Sequence, residues 1–505
     1  MRKVASGIIP VIAVHRKSET PVHRQIYNAF RELIIHGSLV AGQQVPSTRT
    51  LAKDLGVSRF PVLSAYTQLL EEGYFQSRIG SGTVVSGSLP DRPIRPSGSA
   101  NASASVHSKV RRLSQRSAHL PPFEGGPWLR SRSPFVSSQL AVDQFPFRVW
   151  SQLIRQHSRQ GHESSLHYSH PMGLKDLREV IAAYLRTARA VRCEADQVMI
   201  LGGSQQALDI TARVLLDPGD AIWFEEPGYW LARNNFLLAG CHLIPVPVDL
   251  EGLDVAAGIK RCVNAKAVYI TPSHQYPLGV VMSLSRRLQL LNWANSNGSW
   301  IIEDDYDSEY RYESMPIASL QGLDRLSRVI YIGTFSKVLF PSVRVGYVVI
   351  PPDLIDRFII VRQATDVFSS SLYQLVLADF IREGHFERHI RRMRVIYSER
   401  RNALVDAIRK DLGNALEVLG TEAGVHLSVT LRMRARDTEI SARAARQSLW
   451  LRPLSISYTG PAARQGFVLG FGGTPAIEMP SAVRRLRAVL QNQTSTDSAL
   501  IPRSG

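Results

Sequence analysis

The sequence predicts an α/β protein with a mainly parallel sheet, preceded by a small winged helix-turn-helix domain. Before residue 86, three helical segments are followed by a short hairpin pattern. From about residue 140, short apolar β-rich runs alternate with amphipathic helices, which is typical of a parallel sheet covered by helices. The segment 87–122 is rich in Ser, Pro, Ala and Arg and has no apolar periodicity, so it is predicted to be a linker. We expect domains at 15–86 and 123–492, joined by this basic linker.

The first domain is predicted from helical periodicity and turn residues. The stretch PVHRQIYNAFRELIIHG forms a first helix that ends at Gly37, and PSTRTLAKDLG forms a short second helix that ends at Gly56. The stretch VSRFPVLSAYTQLLEEGY forms a third helix, and SRIGSGTVV has the glycines and β-branched residues of a hairpin. The residues expected to face the core are Ile26, Phe30, Leu33 and Ile34 in the first helix, and Val62, Ala65, Leu69 and Leu70 in the third.

This order of elements places the third helix in the major groove of DNA. Ser58 is expected to cap that helix, and Pro61 falls in its first turn, where a missing N–H is tolerated. Arginine suits contacts to guanine or phosphate because its planar guanidinium group can donate two parallel hydrogen bonds. The predicted DNA-binding residues are Ser47, Arg49, Ser58, Arg59, Tyr66, Arg78 and Gly82. A winged helix that binds another protein through surface arginines is an alternative that these residues leave open.

Charge favours an acidic partner. The net charge is +17, and residues 1–86 carry ten Lys and Arg against five Asp and Glu. Residues 87–120 carry six against one, so basic charge is concentrated at the front of the chain. A nucleic acid is one acidic partner that fits this charge, and a solvated basic face is the simpler alternative.

Composition argues against a membrane-spanning, secreted or disulfide-rich protein. The apolar content of 44% is that of a globular protein, and no run of 18 or more apolar residues predicts a membrane span. The basic, partly apolar start lacks a convincing cleavage site, so no signal peptide is expected. The three cysteines have neither metal-ligand nor disulfide-framework spacing. They suit the reducing cytoplasm, where we expect the protein to reside.

Predicted strand ends in the larger domain carry polar residues. In LGGSQQA a strand joins a helix through Gly202, Gly203 and Ser204, a turn that suits an anion, although most such turns only reverse the chain. In IIEDDYDSEYRY three carboxylates follow a strand, and they repel one another unless a cation is near. A solvated loop or a metal site is the alternative for this acidic stretch, and no metal is predicted for the chain as a whole.

The stretch GTFSK places Lys337 after another strand, with hydroxyls at Thr334 and Ser336 and Arg344 seven residues later. This pattern fits a Schiff-base lysine beside a phosphate site. Pyridoxal phosphate needs an amine, a carboxylate for its ring nitrogen, a phosphate cup and an aromatic ring over its own. The chain supplies these groups in Gly203, Ser204, Gln205, Tyr229, Asp304, Tyr306, Thr334, Ser336, Lys337 and Arg344.

Two known families resemble the chain. The stretch PSTRTLAKDLGVSRFPVLSAYTQLLEEGYFQSRIGSGTVV resembles the DNA-binding domain of GntR regulators, except at Phe60-Pro61, where members more often carry a small polar pair. The ordered polar set resembles the fold-type I aminotransferases over nearly all of residues 140–490. Together with TPSHQYPLG and EDDYDSEYRY, the two resemblances point to the MocR/GabR regulators, in which a GntR-type domain is fused to an aminotransferase-like domain.

The resemblance implies a role for each residue of the set. Lys337 would form the Schiff base with pyridoxal phosphate, Asp304 would pair with the pyridine nitrogen, and Tyr306 would bond the ring oxygen. Tyr229 would stack on the ring, and the phosphate would be held by Gly203, Ser204, Gln205, Thr334 and Arg344. It also implies a head-to-tail homodimer that binds double-stranded operator DNA and senses either the cofactor itself or an amine or amino acid.

Two departures from the enzyme pattern, at Tyr276 and Val468, favour a regulator, and a third departure, at Leu231, is from a related regulator. Tyr276-Pro277-Leu278-Gly279 stands where aminotransferases carry Asn-Pro-x-Gly, and His274 or Gln275 are the candidates to replace the asparagine. Val468 stands where the carboxylate-binding arginine is expected, with Arg464 nearby, and Leu231 stands where the GABA-responsive relative has an arginine. The alternative is a working aminotransferase with an appended DNA-binding module.

Overall fold

The computed structural model describes residues 12–16, 18–78, 82–87, 114–118, 120–121, 133–159, 167–312 and 318–491. The chain forms two compact units, Met1–Arg111 and Arg112–Gly505. The division lies within the segment predicted as a linker, and most of that segment is outside the described residues.

The first unit is a winged helix-turn-helix, as predicted. Its elements are α1 Val22–Ile35, α2 Thr48–Asp54, α3 Arg59–Glu71, β1 Phe75–Arg78 and β2 Gly82–Val85. The two strands are antiparallel, with Arg78 paired with Gly82. Ser47 caps α2 by accepting a hydrogen bond of 3.1 Å from the amide of Thr50.

The core of this unit differs from the prediction in one position of α3. The buried residues of α3 are Val62, Ala65, Tyr66 and Leu69, whereas Leu70 is 37% exposed. The ring of Tyr66 packs edge-on against Phe30 and Phe75, with centroids 5.6 and 5.2 Å apart. The prediction that Leu70 faces the core was therefore wrong. Tyr66 packs between α1 and β1 instead.

The second unit contains helices between and around two sheets. Its helices are α4 Gln115–Ala118, α5 Phe147–Arg159, α6 Lys175–Arg189, α7 Ser204–Leu215, α8 Trp230–Ala239, α9 Val255–Cys262, α10 Leu284–Asn297, α11 Leu320–Leu323, α12 Ile355–Thr365, α13 Ser371–Arg382, α14 His385–Leu412, α15 Asp437–Arg446 and α16 Met479–Gln491. The single turn α4 lies in the segment that was predicted to be a structureless linker.

The larger sheet has eight strands. They are β3 Val198–Leu201, β4 Ala221–Glu226, β5 His242–Asp249, β6 Gly252–Leu253, β7 Ala267–Ile270, β8 Trp300–Asp305, β9 Val329–Thr334 and β10 Gly346–Val349. Their order is β3-β10-β9-β8-β7-β4-β5-β6. The strands β9, β8, β7, β4 and β5 are mutually parallel, and β10 runs antiparallel to both of its neighbours.

This sheet confirms the predicted α/β fold. Every residue of β3, β7, β9 and β10 is buried, as expected for strands covered on both faces by helices. The carboxyl ends of the parallel strands meet at one edge, where ligand sites of such folds lie.

A second, antiparallel sheet was not predicted. It consists of β11 Leu416–Leu419, β12 His426–Leu431, β13 Arg452–Pro453 and β14 Gly466–Gly470, in the order β11-β12-β14-β13. With only two residues, β13 is too short to carry a strand pattern in the sequence.

Among the described residues, no helix is both long enough and apolar enough to span a bilayer.

Candidate functional site

A cavity of about 830 Å³ lies at the carboxyl ends of the parallel strands. All of the predicted cofactor residues except Gly203 line it: Ser204, Gln205, Tyr229, Asp304, Tyr306, Thr334, Ser336, Lys337 and Arg344. The remaining wall includes residues of the segment that precedes α5, of the start of α8, of β7 and the loop after it, and of the second sheet with α15. Its polar members include Thr271, Tyr276, His426, Thr438, Ser441 and Arg452.

Lys337 follows β9 by three residues and faces the cavity. Burial lowers its pKa below the usual lysine range, and Arg452 adds to this, while the carboxylate of Asp307 opposes both. A lowered pKa leaves more of the amine unprotonated near neutral pH, which is the nucleophilic form. The geometry therefore presents a reactive amine to the cavity.

Asp304 lies at the end of β8 with one oxygen unpaired. Its Oδ2 accepts a hydrogen bond of 2.8 Å from the phenol of Tyr269, and its buried Oδ1 has no partner among the described residues. Burial raises the pKa of Asp304 to about 7, although the bond from Tyr269 opposes the shift. An ionised Asp304 is stabilised only if a cationic group meets the free oxygen.

The start of α7 offers an anion site. Gly203 precedes the helix with φ 117°, and a Cβ at this position would lie 3.2 Å from Nη1 of Arg344. The guanidinium of Arg344 therefore lies against the backbone at the helix N-terminus. Two other donors of the cavity wall, Nε2 of Gln205 and Oγ of Ser336, are buried and have no partner among the described residues. Free donors, a cation and a helix N-terminus together suit a phosphate.

Tyr306 belongs to a buried cluster beneath Lys337. Its hydroxyl donates to the carbonyl of His274 at 2.8 Å, and Nδ1 of His274 lies 3.0 Å from Asp307. The ring of His426 lies 4.7 Å from that of His274. One atom each from His274, Asp307 and His426 lie within 4.8 Å of one another, so this set could hold a metal ion. The sequence analysis did not anticipate the contribution of His426.

The structure gives neither His274 nor Gln275 the place of the missing asparagine. His274 is bonded to Asp307, and the amide of Gln275 donates to the carbonyls of Pro227 and Tyr276 at 2.8 and 2.6 Å. Both residues are buried and absent from the cavity wall. Tyr276 lines the cavity instead and packs edge-on against Tyr229, with centroids 5.2 Å apart.

An arginine faces the cavity from β13. Val468 is buried in β14, and its strand partner in β13 is Arg452. Arg452 lines the cavity, its guanidinium lies 5.0 Å from the ring centre of Trp230, and its Nε has no partner among the described residues. Arg464, the arginine nearest Val468 in the sequence, is exposed and does not line the cavity. Sequence reasoning missed Arg452 because it searched the strand of Val468 and not its neighbour.

The predicted DNA-binding residues lie in three parts of the first unit. Ser47, Arg49, Ser58 and Arg59 are exposed around the ends of α2 and α3. The Nε of Arg59 donates to Oγ1 of Thr48 at 3.3 Å. Ser58 is the N-cap residue of α3 but makes no side-chain cap bond, contrary to expectation. Arg78 and Gly82 are paired at the wing end of the hairpin.

Tyr66 is a correction to this set. It is 3% exposed, and its hydroxyl donates to the carbonyl of Pro46 at 2.9 Å. Its ring and its hydroxyl are both engaged in the core, which leaves no surface for a base or a phosphate. The prediction that Tyr66 contacts DNA was therefore wrong, because the aromatic core of the unit holds this side chain.

Comparisons with known proteins agree with this geometry. The sequence pattern of the family "Bacterial regulatory proteins, gntR family" matches residues 22–85, and that of "Aminotransferase class I and II" matches residues 137–465. The probable rhizopine catabolism regulatory protein MocR of Rhizobium meliloti is 40% identical over 95% of both chains. The HTH-type pyridoxine biosynthesis transcriptional regulator PdxR of Corynebacterium glutamicum is 32% identical over 91% of this chain and 94% of its own.

Among solved structures, the kynurenine aminotransferase of Pyrococcus horikoshii superposes with a TM-score of 0.70 and 27% identity. It covers 75% of this chain and 97% of its own. The relatives of full length are thus regulators, whereas the structural match to an enzyme leaves out a quarter of the chain.

Proposed function

The chain belongs to the gntR family of bacterial regulatory proteins and is a helix-turn-helix transcription regulator with an aminotransferase-like domain, and we propose that this domain binds pyridoxal phosphate and senses an amine or the cofactor itself. The domain limits 15–86 and 123–492 are part of the proposal, as are the assignments of individual residues to cofactor and DNA.

The observation that carries the cofactor proposal is the unpaired Oδ1 of Asp304 in the same cavity as Lys337. A protonated pyridine nitrogen is the cation that this oxygen lacks. Lys337 would hold the cofactor through its amine, and Arg344, Gln205, Ser204 and Ser336 would hold its phosphate. Bound there, pyridoxal phosphate supplies an aldehyde carbon that exchanges one amine for another.

The residues that orient the ring are supported by their positions. Tyr229 and Tyr276 form an aromatic wall on one side of the cavity, which would exclude water from the ring face. Tyr306, held by the carbonyl of His274, keeps its hydroxyl at the cavity for the oxygen of the ring. Asp304 would remain ionised beside the ring nitrogen because an opposite charge lowers a raised carboxyl pKa.

Arg452 supports an effector that carries a carboxylate as well as an amine. An arginine with an unpaired Nε in a partly buried cavity favours an anionic group. It also supports the second candidate function, a working aminotransferase, since Val468 no longer implies that such a cation is lacking. The names of the full-length relatives favour the regulator, and we propose a head-to-tail homodimer in which ligand binding changes DNA affinity.

The test is a titration of the purified full-length chain with pyridoxal phosphate, followed by reduction with borohydride and peptide mass mapping. We expect one covalent adduct, at Lys337, and an adduct-free protein for Lys337→Ala. Lys266→Ala, at a lysine outside the cavity wall, is the matched control and should keep the adduct. An adduct elsewhere, or none, would refute the cofactor assignment without affecting the DNA-binding domain.

The second arm adds amines and amino acids one at a time to the loaded protein and measures DNA affinity and oxo-acid release together. A regulator changes its DNA affinity with at least one ligand or with the cofactor, and releases no oxo acid over repeated additions. Sustained oxo-acid release with unchanged DNA affinity would instead establish the enzyme.

A further inference from the structure

Phe60 is an apolar side chain held at the surface of the first unit. It is the second residue of α3 and is 78% exposed. The buried face of the helix is formed by Val62, Ala65, Tyr66 and Leu69. Leu63, one turn after Phe60, is also exposed, at 45%. Residues three apart lie on one helical face, so Phe60 and Leu63 form an apolar strip. Neither side chain belongs to the buried face of α3.

The surroundings of Phe60 are those of a DNA-facing surface. Arg59 precedes it and is exposed, and Arg49 is exposed on α2. In a helix-turn-helix protein, the N-terminal residues of the second helix of the motif meet the base edges of the major groove. Pro61 follows directly and restricts the backbone of the first turn, so Phe60 is presented with little conformational freedom to lose on binding.

The apolar ring of Phe60 limits which groups of DNA it can contact favourably. A phenyl ring neither donates nor accepts a hydrogen bond, so it gains little from a phosphate or from the polar atoms of guanine, adenine and cytosine. In the major groove the apolar feature of a base edge is the C5 methyl group of thymine. We propose that Phe60 packs on a thymine methyl group and makes DNA recognition by this chain depend on that methyl. The proposal rests on the DNA-binding function of the first unit and adds the base that one residue reads.

The test uses the full-length protein and changes one methyl group at a time. A duplex that the wild-type chain binds tightly is selected from a random pool, and each thymine is then replaced singly by uracil, which removes only the methyl. We expect one replacement, or a symmetric pair, to weaken wild-type binding about three- to five-fold, the effect of one buried methyl-sized group. Phe60→Ala should bind the thymine and uracil duplexes equally.

Three controls separate this role from a general loss of binding. Leu63→Ala lies on the same strip but one turn further on, and should keep the preference for thymine at that position. The salt dependence of binding reports phosphate contacts, and it should be the same for Phe60→Ala and for wild type. Circular dichroism of Phe60→Ala should match wild type, since the side chain is exposed.

The proposal is overturned if no single uracil weakens wild-type binding, or if Phe60→Ala keeps the same thymine preference. The latter result would leave the exposed strip as a contact for another protein. A wild-type chain that selects no duplex at all would instead overturn the regulator function, and this outcome is distinct from normal binding without methyl discrimination.

Discussion

Arg452 and Val468 lie directly opposite each other, paired in the register of β13 and β14. Val468 is fully buried, whereas Arg452 turns its guanidinium to the cavity beside Trp230. The cation that is missing from β14 in the sequence is thus supplied by the neighbouring strand. A carboxylate in the cavity can therefore be paired without any change at Val468.

Replacing Arg452 by methionine should weaken amino acids selectively. Methionine keeps the unbranched stem against Trp230 but removes the charge, and a charge-assisted hydrogen bond contributes about 1.5–3 kcal/mol. We expect amino acids to shift the visible spectrum of the loaded protein only at concentrations roughly 10- to 150-fold higher, with little change for amines that lack a carboxylate. Arg464→Met, at an exposed residue off the cavity wall, is the control. Equal losses for both ligand classes would mean that Arg452 only maintains the fold.

Replacing Asp304 by asparagine should change the pH dependence of stability in the cofactor-free protein. Burial raises the pKa of Asp304 from 3.8 to about 7, so the protonated form favours folding and its contribution is lost as pH rises from about 4 through 7. Asparagine keeps an acceptor for Tyr269 and stays neutral. Relative to wild type, Asp304→Asn should therefore gain more stability at pH 8 than at pH 5, by a few kcal/mol at most, since one pKa unit corresponds to about 1.4 kcal/mol.

Tryptophan fluorescence during urea unfolding measures this difference, because all seven tryptophans lie after residue 120 and report on the second unit alone. Glu225 and Glu303 are also buried with pKa values raised to about 7. A residual decline of stability with pH should therefore remain in Asp304→Asn. An unchanged difference between variant and wild type at pH 5 and pH 8 would show that the pKa of Asp304 is not raised in the folded protein.

Replacing Gly203 by alanine should weaken binding of the phosphate group of pyridoxal phosphate. At φ 117° an L-residue is strained, and the added Cβ would lie 3.2 Å from Nη1 of Arg344, so the guanidinium must move. We expect the affinity for pyridoxal phosphate to fall at least ten-fold. Gly202→Ala is a matched control, since Gly202 has no positive φ and its Cβ would approach only the side-chain oxygen of Gln206, at 3.2 Å. Similar losses in the two variants would argue against a specific role of the Gly203–Arg344 contact.

Replacing Arg59 by alanine should weaken DNA binding, and replacing Tyr66 by phenylalanine should not. Arg59 is exposed and is positioned by Thr48, so its loss should cost about 1–3 kcal/mol of binding free energy if it pairs with a base. Tyr66→Phe removes only the bond to the carbonyl of Pro46, which should lower the free energy of unfolding by about 0.5–1.5 kcal/mol. Fluorescence anisotropy with a selected duplex measures the DNA affinity of both variants, and urea unfolding followed by circular dichroism measures the stability of Tyr66→Phe. A larger effect on affinity from Tyr66→Phe would restore Tyr66 as a DNA contact.

The sequence by itself determined the two kinds of domain and the polar residues that follow the strands at the cavity. Lys337, Asp304 and Gly203 each sit at the end of an apolar run, and parallel strands bring their carboxyl ends to one edge, so local patterns were enough to group them. The helix periodicity of α1 and α3 likewise predicted the winged helix-turn-helix.

Only the tertiary structure decided which residues outside those strand ends reach the cavity. Arg452 and His426 come from an antiparallel sheet whose pairings join segments that are distant in sequence, and no local periodicity reports such pairings. The structure buries Tyr66, which was predicted to contact DNA, and exposes Leu70, which was predicted to face the core. Helical spacing limits which positions of α3 can face inward, but the shape of the neighbouring rings selects among those positions. A sequence pattern reports on structure within a few residues, whereas tertiary packing brings together residues that are hundreds of positions apart. Packing therefore determined which further side chains line this site.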